Sequence, residues 1–323
     1  MPTAAARNAA RRVLVTGASG FLGRAVAPAL ARAGLEVVRA GRALPACGAG
    51  AAWVAYRELG PDTPWQGVLE GIHSVVHLGG LAHLPDETAA ASAALFRRVN
   101  AEGTARLAQA AARAGVRRLV LASSALVHGP RSPGRPLTEE DAPAPATPYA
   151  RSKLEAERGL LEAAAGTGLE WVILRPPMVY GPGARGNFAR LVRLVRAGVP
   201  LPVGAATAPR TFIGIDNLAD AVVACVTEAG AAGRTFLVAD AETTSTRGLV
   251  HLIAAALGRR VWTPAVPPAL LRAAFGAIGR GADVRRLLEP LELDAGRIRR
   301  ELGWTPPVPL AEGVRRAVAA AVG

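Results

Sequence analysis

Glycines at positions 17, 20 and 23 in VTGASGFLG mark the point where a Val/Leu-rich run gives way to an Ala-rich amphipathic run, and no other feature restricts the fold as much. A strand that turns directly into a helix over three glycines is built to meet an anion. Gly17 permits the tight turn, Gly20 lets the backbone approach a pyrophosphate, and Gly23 lets helix and strand pack closely, with phosphate at the amide end of the helix. The same alternation continues downstream. RRVLVTG, LEVVRAG, WVAYREL, SVVHLGG, VRRLVLASS and LEWVILRPP read as strands, while FLGRAVAPALARAG, LFRRVNAEGTARLAQAAARAG and the segment opening at Tyr149 read as helices. Such alternation implies parallel strands joined by right-handed crossovers and covered on both faces, an α/β fold with a doubly wound, Rossmann-type parallel sheet.

After Pro176 the pattern changes, and turns at GPGARGN, AGVPLPVGAATAPR and TPAVPPA separate helices from a few short strands. The expected organisation is a flexible tail at 1–11 and a dinucleotide-binding domain at 12–175, to which 212–240 returns. Residues 176–211 and 241–323 form a smaller C-terminal substrate-binding lobe. Ligands in such folds lie at the carboxyl ends of the strands.

Half of the 323 residues are hydrophobic, which excludes a disordered chain. No uninterrupted apolar run reaches membrane length; PPALLRAAFGAIGR, near 267–280, is too short, carries Arg272 and reads as an ordinary packed helix. The start, MPTAAARNAARR, lacks the apolar core of a secretory signal. Two cysteines, Cys47 and Cys225, build neither a disulfide framework nor a metal cluster, which fits a reducing cytoplasm. Five histidines (His73, His77, His83, His128, His251) show no metal-ligand spacing, so no metal is expected. The net charge of +13 is carried by dispersed arginine pairs without interleaved aromatics. That pattern argues against nucleic acid and for a small anionic substrate or cofactor.

Of the 38 Lys and Arg residues, only Lys153 is lysine, and it follows Tyr149, one of three tyrosines, by four positions. On a helix that spacing puts a phenol and an ammonium on one face a turn apart. A dinucleotide site would also leave a mark at the end of the second strand, where Asp or Glu holds the ribose of NAD and Arg meets the extra phosphate of NADP. Here the strand ends Gly41-Arg42, with Arg39 just before, so NAD or NADP is expected and Arg42 favours NADP.

Taken in order, TGASGFLG, HLGGLAH, VNAEGTARLAQAA, LASSALVHG, PYARSK, LRPPMVYGPG and RRELGWTP resemble the extended short-chain dehydrogenase/reductases. They are closest to the NAD-dependent epimerase/dehydratase branch that acts on nucleotide sugars. The resemblance implies that Tyr149 and Lys153 form the family's Tyr-x-x-x-Lys pair and that Ser124 is its catalytic Ser/Thr, with Ser123 the fallback. Lys153 would hold the nicotinamide ribose and ease proton exchange by Tyr149, and Ser124 would hydrogen-bond the reacting oxygen. A site needing a compact ammonium would resist replacement by the broad fork of arginine. The implied cofactor-binding set is Gly17, Ser19, Gly20, Phe21, Leu22, Gly23, Arg39, Arg42, Glu58, Leu59, Leu78, Gly79, Gly80, Asn100, Ser123, Tyr149, Lys153 and Pro176. Asn187 and Arg210, with Arg285 or Arg286, are implied at the substrate's diphosphate, and a homodimer is expected.

Departures from the family pattern narrow the reaction. Its dehydratases carry an Asp-Glu pair after the catalytic Ser/Thr, where this chain has Ala125 and Leu126, and the usual VYG reads VHG, with His128 in place of tyrosine. Two readings remain nearly level: a UDP-sugar 4-epimerase that recycles its cofactor, and a reductase of a UDP-4-keto-6-deoxy-hexosamine that uses dissociable NAD(P)H. Further alternatives are a non-sugar ketone reductase and a non-catalytic nucleotide-sensing protein.

Overall fold

In the computed structural model, which describes residues 11–42, 52–82, 84, 90–184, 186–277, 279 and 281–322, the first half of the chain alternates strand and helix. The expectations for the first ten residues, for Cys47 and for His83 lie outside the described residues. The elements of this half are β1 (Arg12–Thr16), α1 (Phe21–Arg32), β2 (Glu36–Gly41), β3 (Trp53–Ala55), β4 (Ser74–His77), α2 (Ala90–Phe96), α3 (Gly103–Arg113), β5 (Arg118–Ala122), α4 (Pro148–Ala164) and β6 (Glu170–Arg175). The second half adds β7 (Met178–Tyr180), α5 (Asn187–Arg196), β8 (Pro209–Arg210), β9 (Phe212–Gly214), α6 (Ile215–Thr227), β10 (Arg234–Leu237), β11 (Thr244–Ser245) and α7 (Thr246–Ala256). It ends with α8 (Pro268–Ala277), α9 (Gly281–Leu288), α10 (Gly296–Leu302) and α11 (Leu310–Val322).

Seven strands form one sheet in the order β10-β6-β5-β4-β1-β2-β3, every neighbouring pair parallel. Side chains alternate between its faces as a period of two demands. Val13 and Val15 of β1 join Val26 and Leu30 of α1 and Leu218 and Val222 of α6 on one side. Leu14 joins Leu107 and Ala111 of α3 and Leu160 of α4 on the other. Strand order reverses between β4 and β1, and the β1 turn therefore opens at the crevice where such sheets bind ligands.

The segment read as one long helix is continuous but not uniform, because Arg97–Glu102, between α2 and α3, is a π-helical turn. Such turns free a carbonyl from the regular ladder and occur at functional sites. Here the Asn100 carbonyl accepts the Thr104 hydroxyl at 2.5 Å.

A separate apolar cluster gathers Phe188 and Val192 of α5, Leu249 and Ile253 of α7 and Val314 of α11. A buried polar knot joins it to the sheet. The Tyr180 hydroxyl donates to Asp240 at 2.6 Å, and the other Asp240 oxygen accepts from the Gly214 amide (2.9 Å) and Asn217 (2.7 Å). One expectation is corrected: α8 is not an ordinary packed helix. Leu271 is its buried residue, whereas Leu270 is 60% exposed.

Arg118 shows how a charge can serve the core. Nearly fully buried, it meets Glu170 (2.7 Å) and donates to the carbonyls of Cys225, Val226 and Glu228, which end α6. A cation at the carbonyl end of a helix is favourable, and burial leaves those carbonyls few alternatives. Arg118→Met is expected to cost about 3 kcal/mol of unfolding free energy, because it orphans buried acceptors and a carboxylate. The check is a lower urea midpoint at an unchanged slope.

Candidate active site

The glycine turn between β1 and α1 is a cradle with no room for side chains. A Cβ on Gly23 would lie 2.3 Å from the Gly17 carbonyl oxygen and 2.5 Å from Ala18 Cα. Gly17 has φ +67°, and a Cβ there would strike the Gly79 amide nitrogen at 2.7 Å. The turn and the loop after β4, residues 78–80, thus touch backbone to backbone. Ser19 and Gly20 are exposed, Phe21 and Leu22 half-buried, and α1 has no acid in its first turn, so its amide end is left to an anion.

At the end of β2, Gly41 packs against the Trp53 ring and the Ser19 hydroxyl; a Cβ would meet them at 2.9 and 3.1 Å. Arg42 is exposed beside them. Arg39 is half-buried, with its Nε buried and unpartnered. Glu58 is exposed and Leu59 buried just beyond β3. Tyr56, which the sequence reading did not select, accepts a hydrogen bond from the Gly17 amide at 3.3 Å and so props the glycine turn from below.

A second group converges where β4 and β5 end. Lys153 is 8% exposed, and its Nζ donates to the Ala122 carbonyl at 2.9 Å. Burial pushes its ammonium down to about 8, against the opposing pull of Glu157. Asn100 bonds Leu81 through both its amide nitrogen (3.0 Å) and its oxygen (2.8 Å), and it donates to Ser152 at 3.0 Å. Gly80 sits against this pair: a Cβ on it would fall 2.8 Å from Asn100 Oδ1 and 3.5 Å from Lys153 Nζ. Tyr149, one turn before Lys153 on α4, is half-buried and packs edge-on against Phe96 with ring centroids 5.8 Å apart. The helix opens well for this purpose, with Thr147 capping the Ala150 amide (3.1 Å) and Pro148 in its first turn.

Ser123 and Ser124 part company here. The Ser123 hydroxyl is given to Glu157 at 2.5 Å, inside the protein. Ser124 caps the short turn Ala125–His128 by accepting from the Leu126 amide at 3.2 Å, a bond that leaves its own proton free to be donated. Of the two hydroxyls, Ser124 thus keeps a proton to donate. Pro176, buried after β6, accepts from the Ala125 amide at 2.9 Å and holds this turn against the strand.

Two buried groups to which the sequence assigned no role in the site tie these pieces together. His77 lies between the Thr16 and Thr104 hydroxyls at 2.6 and 3.0 Å. Burial, then Lys153, pushes it down to about 3, so the ring is neutral. Glu157 is paired with Arg175 at 2.9 and 2.5 Å, and Arg175 reaches His128 at 2.9 Å. Glu157 follows Lys153 by four positions, a spacing that could have found it; nothing local announces Arg175 as its partner.

The residues expected at a diphosphate are only partly assembled. Arg210 is pinned by β11 on one side and by Leu291 on the other, and its guanidinium donates to the Glu289 carbonyl at 2.7 Å. Burial, with Arg286 beside it, pushes Arg210 down to about 10. Arg285 and Arg286 are exposed on α9, and Asn187 is exposed at the first position of α5. Among the described residues no hydrogen bond joins Asn187 to these arginines.

A family model, the NAD dependent epimerase/dehydratase family, matches residues 13–239. The chain belongs to that family. It is similar to a UDP-glucose 4-epimerase of Vibrio cholerae, 34% identical over 312 residues that cover 96% of this chain and 95% of the relative. Among solved structures it is similar to MoeE5 in complex with UDP-glucose and NAD (TM-score 0.77, 27% identity, 96% of this chain and 98% of the other). It is also similar to the UDP-glucose 4-epimerase of Thermus thermophilus in complex with NAD (TM-score 0.76, 27% identity, 97% and 99%). This member of the epimerase/dehydratase family is an NAD-dependent enzyme of the extended short-chain dehydrogenase/reductase type. Its residues fit the dinucleotide: a Cβ-free cradle at a helix amide end, an orphaned Arg39 Nε near the second strand, and a buried ammonium beyond the first loop.

Proposed function

We propose that the protein is a UDP-sugar 4-epimerase. The observation that carries the reading is the lodging of Lys153 between the Ala122 carbonyl, Gly80 and Asn100, one helical turn from Tyr149 and at the strand ends that also carry Ser124. NAD, when bound, supplies the hydride acceptor and donor. The chain's own residues do the rest. The amides of the Gly17–Gly23 turn hold the pyrophosphate, with Ser19, Phe21 and Leu22 at its rim. Arg39, Arg42, Glu58, Leu59 and the 78–80 loop flank the adenosine side, while Asn100 and Pro176 flank the nicotinamide side. Tyr149, as the phenolate that the Lys153 ammonium stabilises, takes the proton of the sugar C4 hydroxyl, becomes the neutral phenol and later returns that proton; Ser124 donates a hydrogen bond to the C4 oxygen. Arg210 and Arg286, with Asn187 and Arg285 at the rim, clamp the diphosphate.

The charge on Lys153 gives the reading a pH signature. In the free enzyme kcat/KM is expected to fall as pH rises through about 8, because the ammonium is lost there. Stability should move the other way. Below about 8 the lysine is protonated both folded and unfolded, and the cost of burying the charge is fully present. Between about 8 and its ordinary value of 10.5 only the unfolded chain keeps the proton, so folding gains with pH. A denaturant titration alongside the rate profile checks both signs.

The direct test is to purify the protein without added nucleotide, denature it, and weigh any released dinucleotide by mass spectrometry. The matching assay follows UDP-glucose and UDP-galactose interconversion. Near-stoichiometric NAD with interconversion supports the epimerase; the absence of both would reject it. A second reading, a reductase of a UDP-4-keto-6-deoxy-hexosamine, is favoured by one feature, the exposed Arg42 beside Gly41 where a carboxylate would otherwise meet the ribose. On that reading Arg42→Ala weakens NADPH binding about tenfold and leaves NADH unchanged. A non-sugar ketone reductase would keep its activity in Arg210→Ala, which the epimerase would not. A homodimer is part of the proposal and is checked by light scattering.

A further inference from the structure

We propose that Glu157 is a positioning residue for Lys153: fixed by Arg175 and Ser123, its carboxylate governs the charge and the seat of the ammonium one turn back on α4. The inference rests on the proposed role of Lys153 in the reaction. It begins with two consecutive residues at the end of β5 that clasp two consecutive turns of α4. The Ala122 carbonyl takes Lys153 Nζ at 2.9 Å, and the Ser123 hydroxyl donates to Glu157 at 2.5 Å. Glu157 is 2% exposed and cannot swing away, because Arg175 of β6 grips both of its oxygens at 2.9 and 2.5 Å. Arg175 is braced from behind by His128 at 2.9 Å. Arginine can only donate, so the facing His128 nitrogen accepts and its Nδ1 carries the proton. The histidine that replaces the usual tyrosine thus acts as the far anchor of this chain.

The groups around Lys153 leave Glu157 as its counter-charge. His77 from β4 is neutral, Asn100 from the π-helical turn and the Gly80 backbone carry no charge, and the Ala122 carbonyl from β5 is a dipole. Tyr149 shares the helix. Arg175 lies beyond Glu157, and Glu157 is the group that favours the charged lysine against burial. A charge placed four residues along the helix is near enough to act, and a low-dielectric surrounding strengthens it.

The composition supplies an unusually clean test. Lys153 is the only lysine in the chain, so protein grown on isotope-labelled lysine gives one side-chain signal. Its Cε and Nζ shifts can be titrated by NMR with no substrate present. In Glu157→Gln, Lys153 is expected to become at least about tenfold more acidic, and the alkaline limb of kcat/KM to move down by the same step. Because that variant leaves Arg175 buried without a partner, the paired variant Glu157→Gln/Arg175→Met is titrated as well. It removes both charges and with them the repulsion of an unpaired Arg175, so an acidification of the same direction but smaller size is expected. A Lys153 titration unchanged in the paired variant would overturn the proposal, whatever happens to thermal stability. Absence of UDP-sugar turnover in the wild type would sink the epimerase reading instead and leave the lysine titration to decide this one.

Discussion

Replacing Tyr149 by phenylalanine is expected to lower kcat/KM for the sugar by about 10²- to 10⁴-fold, the range lost with a positioned acid-base group, while cofactor binding survives. The ring loses only its hydroxyl. Its edge-on contact with Phe96 involves ring carbons, and the Thr147 cap and Pro148 hold the start of α4 independently of it. The start of the helix should therefore keep its place, and the Lys153 hydrogen bond to Ala122 should remain. The measurement pairs steady-state turnover with a dinucleotide titration. Full loss of turnover with unaltered binding identifies the phenol as the proton carrier and excludes a nucleotide-sensing protein. Retained turnover would move the acid-base role away from Tyr149.

Gly17→Ala should be strongly damaging, for two independent reasons. The residue stands at φ +67°, which an L side chain adopts at a cost of about 1–2 kcal/mol. Its Cβ would also overlap the backbone of Leu78 and Gly79 at 2.7 to 2.9 Å, and overpacking of that kind costs about 1–3 kcal/mol. Backbone cannot rotate aside. Relief requires the 78–80 loop to move, and that loop carries Gly80, which borders Asn100 and Lys153. A loss of roughly 3 kcal/mol in unfolding free energy and a marked drop in dinucleotide affinity are expected together. Gly67→Ala is the control: φ is +76°, but nothing lies within 4 Å of its Cβ, so only the backbone term applies and binding should be unchanged. Equal losses in the two variants would mean that the contact with the second loop carries no weight.

Local signals account for much of the agreement between sequence and structure. The alternation of apolar runs predicts parallel strands because side-chain period and crossover handedness are local rules, and β1 through β6 follow it. The glycine turn was legible because Gly17 and Gly23 answer steric demands that a residue with a Cβ does not meet. Lys153 stood out by composition alone. Other features escaped because they depend on partners distant in sequence. Arg175 looks like a charge stranded at the end of an apolar strand until α4 brings Glu157 to it. The π-helical turn at Arg97–Glu102 has no period of its own and is visible only when Asn100 is seen bonded to Leu81 and Ser152. Helix α8 read as packed because its apolar content is high, but content does not say whether a neighbour covers it, and among its described residues only Leu271 is buried.

The sequence by itself determined the layered α/β architecture, the glycine turn between the first strand and the first helix, and the placing of Tyr149 and Lys153 one turn apart on one helix, since each depends on residues within a few positions of one another. Only the tertiary structure separates the hydrogen bonding of Ser123 from that of Ser124. Neighbours in the chain, they differ because Glu157 from the next helix claims the Ser123 hydroxyl, whereas Ser124 accepts from the Leu126 amide and keeps its own proton to donate. It likewise decided the setting of Lys153, whose ammonium is held by the Ala122 carbonyl of β5 and depressed by burial among four elements. Burial and hydrogen-bond partnership are sums over residues that the chain separates and the fold brings together, and no local pattern contains them.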